Sequence, residues 1–439
     1  MKRSTKIWLS WLLVLAMALP LAGCGGSKQV STDDPQENDP KEPAYEIQAY
    51  NLMEGFAADS EKDNGKEIDE RFTSAQMAFA LELFQNSVIE SKNKNVLVSP
   101  LSVMLSLSMT ANGASAETKT EMEQVLGSGI KMEDLNAYLK GYAKKLTENG
   151  KVKFQIANSI WLKDTPDFTA NPEFLQIVAD YYGADVFKAP FDDTTLADIN
   201  YWVKENTDGM IEKMLDELGE NSVMYLINTL LFDAEWSNPY TEGAVHEKTF
   251  TNILGARKKV PMMYSEERRY LEDENAIGFV KSYKGGKYKF AALLPNEGVN
   301  IYDYIAGMNS ERLTSVLANS ILCDVNAVLP KFSYDYAIEM SKVLTEMGIV
   351  SAFGENADFS ALGSSSVEGP THIEKVLHKS FITVDTFGTK AGAATLTGME
   401  AEGAPTDPKN VTLDRPFVYM IIDAEANLPI FIGAVTDIQ

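Results

Sequence analysis

Histidine and cysteine are scarce: the 439 residues hold three of the first and two of the second, and this removes whole classes of chemistry. His246, His372 and His378 are the only imidazoles. None has a partner at metal-ligand spacing, and no nucleophile–base constellation is spelled out around them. The chain has no Gly-x-Ser-x-Gly elbow, no Walker-type phosphate loop and no zinc-protease helix, and Gly388-Thr389-Lys390 lacks the first glycine of a phosphate loop. Nothing implies a metal or a cofactor. Positive charge is also short, with 39 Lys and Arg against 63 Asp and Glu and a net charge of −24, a balance that repels nucleic acid and anionic headgroups. The pairs Asp33-Asp34 and Asp192-Asp193 read as solvated loop charges rather than metal ligands.

A long apolar run is missing too. Ile7 to Ala22, preceded by Lys2, Arg3 and Lys6, is too short and wrongly flanked for a stable span and reads as an export signal over residues 1–23. Leu21-Ala22-Gly23-Cys24 resembles the bacterial lipobox, which implies cleavage before Cys24 and a diacylglycerol on its thiol. The alternative is a plain secretory signal followed by an incidental cysteine. The expected location is extracytoplasmic, lipid-anchored to the cell membrane through Cys24, or extracellular if released. Cys323 then stands alone, so no disulfide framework exists, and it reads as a small buried hydrophobe.

What is present suits a large core: 45% of residues are hydrophobic and 23% charged. Residues 24–43 are polar, acidic and broken by Pro, and read as a disordered linker. Residues 44–71 form an N-terminal extension with one short apolar patch at Tyr50 to Met53, where an added strand is weakly supported. From residue 72 to 439 helical and strand patterns mix. Met77, Leu81, Phe84 and Val88 recur at helical spacing after Thr73-Ser74, while Ser99-Pro100 and Asn171-Pro172 announce two more helices. Val152, Phe154 and Ile156 alternate with polar residues, as do Tyr288, Phe290 and Ala292. Phe417 to Ile422 and Ile430 to Ile432 are continuous apolar runs, as in strands buried on both faces. The fold class is α+β, in one large domain without internal repeats.

One stretch is unusual. Gly388 to Gly398 (GTKAGAATLTG) follows a strand-like segment and is almost all small. Every second residue, Thr389, Ala391, Ala393, Thr395 and Thr397, would suit a core-facing side of a strand, and Lys390, Gly392, Ala394 and Leu396 the other side. Composition alone leaves a flexible linker equally open.

An ordered series of segments decides between them. Asn95 to Val103 with Ala111-Asn112-Gly113-Ala114, Asn158-Ser159-Ile160-Trp161, Ile199 to Val203 and Asn228 to Phe232 with Trp236 come in turn. Val260-Pro261-Met262-Met263, Leu329-Pro330-Lys331-Phe332, Val376-Leu377-His378-Lys379, Leu413 to Phe417 and Pro429 to Gly433 follow. In this order they are similar to the serpins, the serine protease inhibitor family. The resemblance implies three sheets, eight or nine helices and an exposed reactive-centre loop. It places a loop hinge at Gly388, Thr389, Lys390, Ala391, Gly392, Ala393, Ala394 and Thr395, small enough for an inhibitory member. Thr386 and Lys390 depart from the acidic residues usual there. It also places Ser99, Ser102, Asn228 and His378 under the sheet where strands part, and Trp236 where the loop first enters; each has the ordinary alternative of satisfying and filling the core.

The same resemblance implies a monomeric suicide substrate rather than an enzyme. Its partners would be serine-type peptidases, with cysteine-type ones as an alternative, and the membrane only through Cys24. Family spacing puts the attacked bond at Glu402-Gly403, with Met399 or Ala401 as alternative sites of cleavage. Rival readings are a non-inhibitory serpin serving as a binding or chaperone-like surface protein and, from another class, a substrate-binding lipoprotein; a hydrolase is least supported.

Overall fold

The helical spacing of Met77, Leu81, Phe84 and Val88 puts all four on the buried face of helix α1 (Glu70–Glu90). The helix starts earlier than Thr73-Ser74 suggests: Asp69 is the N-cap and its carboxylate accepts the Phe72 N–H at 3.0 Å, an ionised acceptor at the positive end of the helix dipole. The computed structural model describes residues 45–62, 65–148, 152–165, 168–219, 222–364, 372–389 and 408–439. Helix α2 (Pro100–Ala111) is capped by Ser99 with Pro100 in its first turn. Among the described residues seven more helices follow: α3 (Ala116–Gly127), α4 (Met132–Thr147), α5 (Pro172–Tyr181, capped by Asn171), α6 (Asp193–Asn206), α7 (Ile301–Ala306), α8 (Ser310–Ala318) and α9 (Ser341–Glu346). The Asp192-Asp193 pair opens α6, with Asp192 accepting from the Thr194 and Thr195 amides.

Three sheets carry the strands. The main one has seven, labelled here in chain order: β1 (Tyr50–Asn51), β2 (Lys153–Lys163), β3 (Asp185–Ala189), β4 (Met224–Glu235), β5 (Phe332–Glu339), β6 (Lys375–Val384) and β7 (Gly388–Thr389). Their spatial order is β1-β3-β2-β4-β7-β6-β5, with β4 also pairing directly with β6. A nine-stranded sheet runs through Arg257–Glu272, Ala276–Ser282, Tyr288–Pro295, Phe417–Asp423 and Pro429–Val435 to Val96–Val98. The two apolar runs near the C-terminus are neighbours there and buried throughout. Gly363–Ser364 and Thr169–Ala170 form the third.

The period of two in a strand sorts β4 between two cores. Met224, Leu226, Leu230 and Phe232 face the large core that α1 and α2 fill. Tyr225 and Ile227 face a second cluster beneath α6, with Trp161, Phe187, Ile199, Trp202, Ile211 and Leu215. The sheet is thus covered on both faces at its middle, which is why β4 reads as an unbroken apolar run. Cys323 departs from expectation: it is only partly buried, in Ile321–Pro330, where the pairing shifts register between Leu322 and Val325 and Leu322 is exposed. Residues Glu46 to Gln439 form one unit.

Candidate functional site

One polar row crosses three strands beneath the main sheet. Asn158 on β2 and His378 on β6 are the register partners of Asn228 on β4, so the pleat aims all three at the N-terminus of α2. The Asn228 amide donates to Asn158 Oδ1 at 2.6 Å and to the Ser102 carbonyl at 2.6 Å, and accepts from the Ser102 hydroxyl. His378 Nε2 accepts the Ser99 N–H at 3.2 Å. Two residues on, the Ser380 hydroxyl donates to the Leu97 carbonyl at 2.7 Å. Ser99, Ser102, Asn228 and His378 are therefore brought together as expected. Burial drives the His378 pKa down to about 4, since an imidazolium has no water there, and the ring is neutral.

This row is also where the sheet begins to part. The parallel pairing of β4 with β6 runs from Lys375 opposite Tyr225 to His378 opposite Asn228. At the far end β7 lies between them, Thr389 opposite Ala234 and Val384, Gly388 opposite Glu235, antiparallel to both neighbours. Gly388 is required by this approach: a Cβ there would stand 2.0 Å from the Ala234 carbonyl oxygen.

A tight turn delivers β7. Asp385 Oδ1 accepts the Phe387 and Gly388 N–H groups, and the Asp385 N–H donates to the Gly388 carbonyl at 3.0 Å. The segment after β4 grips the same turn from outside. The Trp236 N–H donates to the Phe387 carbonyl and the Tyr240 N–H to the Thr386 carbonyl, each at 2.8 Å, and Trp236 Nε1 donates to the Asp385 carbonyl at 2.9 Å. Trp236 stacks on Tyr283 at 4.5 Å, and Tyr283 shares a hydrogen bond with the Thr389 hydroxyl at 2.5 Å. Trp236 thus holds the turn that leads into β7, and Thr386 meets the structure through its backbone.

Of the remaining hinge positions, Lys390 to Thr395 lie outside the described residues, as do Met399, Ala401, Glu402, Gly403 and Cys24. Asn158, Ser380, Tyr240 and Tyr283 belong to the site without having been singled out in the sequence. Asn158 stood inside a quoted segment, and its shared row with Asn228 follows from strand pairing alone. His246 packs against Tyr264 and His372 beside Glu374. Among the described residues no three His, Cys, Asp or Glu side chains gather as a metal site.

The site is a sheet parted above a buried polar row, with the two-residue strand β7 docked between β4 and β6 at its open end. The family model described as Serpin (serine protease inhibitor) matches residues 74–438, and the chain belongs to that family, whose members are generally peptidase inhibitors and not catalysts. It is 27% identical over 434 residues to an uncharacterized serpin-like protein of Thermococcus kodakarensis, covering 96% of this chain and 97% of that one. It is 28% identical over 382 residues to human Serpin B9, covering 83% and 98%. Among solved structures, the thermophilic serpin tengpin in its native state shares 49% identity with a TM-score of 0.84, covering 89% of this chain and all of that one. Tengpin in its latent state gives 46% and 0.75, with 85% covered.

Proposed function

We propose that this serpin is a suicide-substrate inhibitor of serine-type peptidases, and the observation that carries the reading is the docking of Gly388 and Thr389 between β4 and β6. A strand that is antiparallel to both neighbours is the start of the strand a cut loop would complete. The small alternate residues from Ala391 to Thr397 suit its inward face.

In this mechanism a peptidase attacks the loop, with Glu402-Gly403 as the preferred bond, and its serine oxygen displaces the amine of the cut bond to form an acyl ester. The freed segment then fills the gap above the His378–Asn228 rung and, going further, parts the β4–β6 pairing from that rung to Lys375–Tyr225. Each inserted residue gains ladder hydrogen bonds worth roughly 1 kcal/mol net, so about ten residues supply enough to distort an active site held at the end of the strand. Loss of one oxyanion-hole donor slows acyl hydrolysis by about 100- to 1000-fold.

Attachment to a cell membrane through a lipid on Cys24 belongs to the same proposal; its support is the lipobox-like Leu21-Ala22-Gly23-Cys24 after an export signal. The test is incubation of a chain beginning at residue 44 with glutamyl-, elastase- and subtilisin-type peptidases, read by denaturing gel and fragment mass. A gel-stable adduct supports trapping and its fragment locates the bond. Clean cleavage with full peptidase activity remaining rejects trapping and favours the non-inhibitory alternative.

A further inference from the structure

A cation is buried where the turn meets the sheet, and the trapping reaction as described does not use it. Lys281, on Ala276–Ser282, is 2% exposed and its ammonium donates to Glu267 Oε1 at 2.7 Å; Glu267, on Arg257–Glu272, is 11% exposed. The Ser265 hydroxyl donates to the same oxygen at 2.8 Å and lies 3.4 Å from the Tyr240 hydroxyl. The ammonium stands 4.4 Å from the Tyr240 ring centre and 5.6 Å from that of Trp236, within cation–π range of both.

An ion pair this deep is poorly explained by stability. Apolar residues of similar volume commonly serve as well or better, because both charges lose their hydration. What the pair touches gives it another use. Trp236 and Tyr240 are the two residues whose backbone N–H groups hold the Phe387 and Thr386 carbonyls, and Trp236 carries Tyr283, which meets Thr389.

We infer that Lys281 and Glu267 form a positioning pair that fixes the Trp236 to Tyr240 segment, and through it the Asp385 to Gly388 turn, in the geometry of an inserted loop before the loop is cut. The consequence rests on the trapping reading. Because β7 already pairs antiparallel with both neighbours, the turn is the one a fully inserted strand needs, and insertion begins without a nucleation delay. Without the pair the turn is set less often, and insertion loses ground to hydrolysis of the acyl ester. The first attack on the loop is untouched, since the hinge is distant in sequence from Glu402.

The experiment compares the intact chain with Lys281→Met and with the Lys281→Met/Glu267→Gln double variant. The double variant leaves no charge unpaired, so it guards against the folding loss the single one risks. Two quantities are read: the molecules consumed per peptidase trapped beside the second-order rate of attack, and the rate of tryptophan fluorescence change after the loop is nicked by a peptidase that is not trapped. The expected result for the double variant is several-fold greater consumption, an unchanged rate of attack, a slower fluorescence change after nicking, and an unchanged melting temperature of the uncut protein. Unchanged consumption and insertion rate, or a loss confined to the melting temperature, would overturn the inference. If the parent chain traps nothing, the trapping reading fails, and the nicked-chain rate still decides the pair: a slower double variant supports it, while an equal one, or no change on nicking in any chain, overturns it.

Discussion

The Tyr283 hydroxyl and Thr389 Oγ1 share a 2.5 Å hydrogen bond in a fully buried setting, although Thr389 belongs to the strand in the main sheet and Tyr283 follows a strand of the nine-stranded one. The bond satisfies two polar groups that would each cost free energy if buried alone. Thr389 is 2% exposed, so its side chain occupies a core-facing position.

Thr389→Arg is expected to expel β7 from between β4 and β6, because a guanidinium there has no charge partner and would need to displace Tyr283. In the peptidase assay the variant should be cut at the parent's rate and yield little or no adduct. Adduct in parental yield would show that entry at Thr389 is not needed for trapping.

His378 makes stability fall on acidification. Its folded pKa is depressed to about 4 from 6.5, so between those values the unfolded chain binds a proton that the native chain refuses. Stability contributed by the neutral ring is complete above about 6.5 and is lost as pH falls toward 4, to a total of about 3 kcal/mol. Protonation of Nε2 also removes the acceptor of the Ser99 N–H. Urea midpoints measured at about pH 7 and about pH 5 should differ more in the parent than in His378→Gln, whose amide does not titrate. Equal shifts in both would assign the acid sensitivity elsewhere.

Asn228→Ala strips partners from the Ser102 carbonyl, the Ser102 hydroxyl and Asn158 Oδ1 at one stroke. Leaving buried polar groups unpaired costs about 1–3 kcal/mol each, so a fall in melting temperature of several degrees is expected by calorimetry. A change within error would mean that water or repacking replaces the amide.

Local chemistry was legible in the sequence and long-range pairing was not. Ser99-Pro100 and Asn171-Pro172 announced their helices because a cap and a fixed ring act within one turn. Asp69 was missed as a cap because it sits in an acidic stretch where it looks like one charge among many. The small residues after Gly388 signalled a strand that could be buried. That Thr389 already faces Ala234 depends on residues brought together only by the folded sheet. Lys281 and Glu267 are 14 positions apart on neighbouring strands, and each alone reads as a solvent-facing charge. The asparagine row had the opposite fortune: Asn228 was expected under the sheet, Asn158 lay in a segment quoted for another reason, and the β2–β4 register joined them.

The first residues of the N-terminal extension are held by a buried carboxylate, while Asp185 and Asp180 hold Asn51, Asp59 and Lys62 further on. Asp198, on α6 and 1% exposed, accepts the Gln48 N–H at 3.1 Å and the Ala49 N–H at 2.8 Å, just ahead of β1. Ile47 and Ala49 pack against the cluster beneath α6, and the Leu52 N–H reaches the Val186 carbonyl at 2.7 Å. A charged acceptor strengthens each amide bond to about 1.5–3 kcal/mol, whereas the two ladder pairs of β1 give about 1 kcal/mol apiece. Asp198→Ala is therefore expected to release residues 46–52 while the rest of the domain stays folded. Hydrogen exchange at Gln48, Ala49 and Leu52 should accelerate in the variant with the amides of β4 unchanged. A variant that exchanges like the parent at those three amides would place the anchor in the apolar contacts of Ile47 and Ala49 instead.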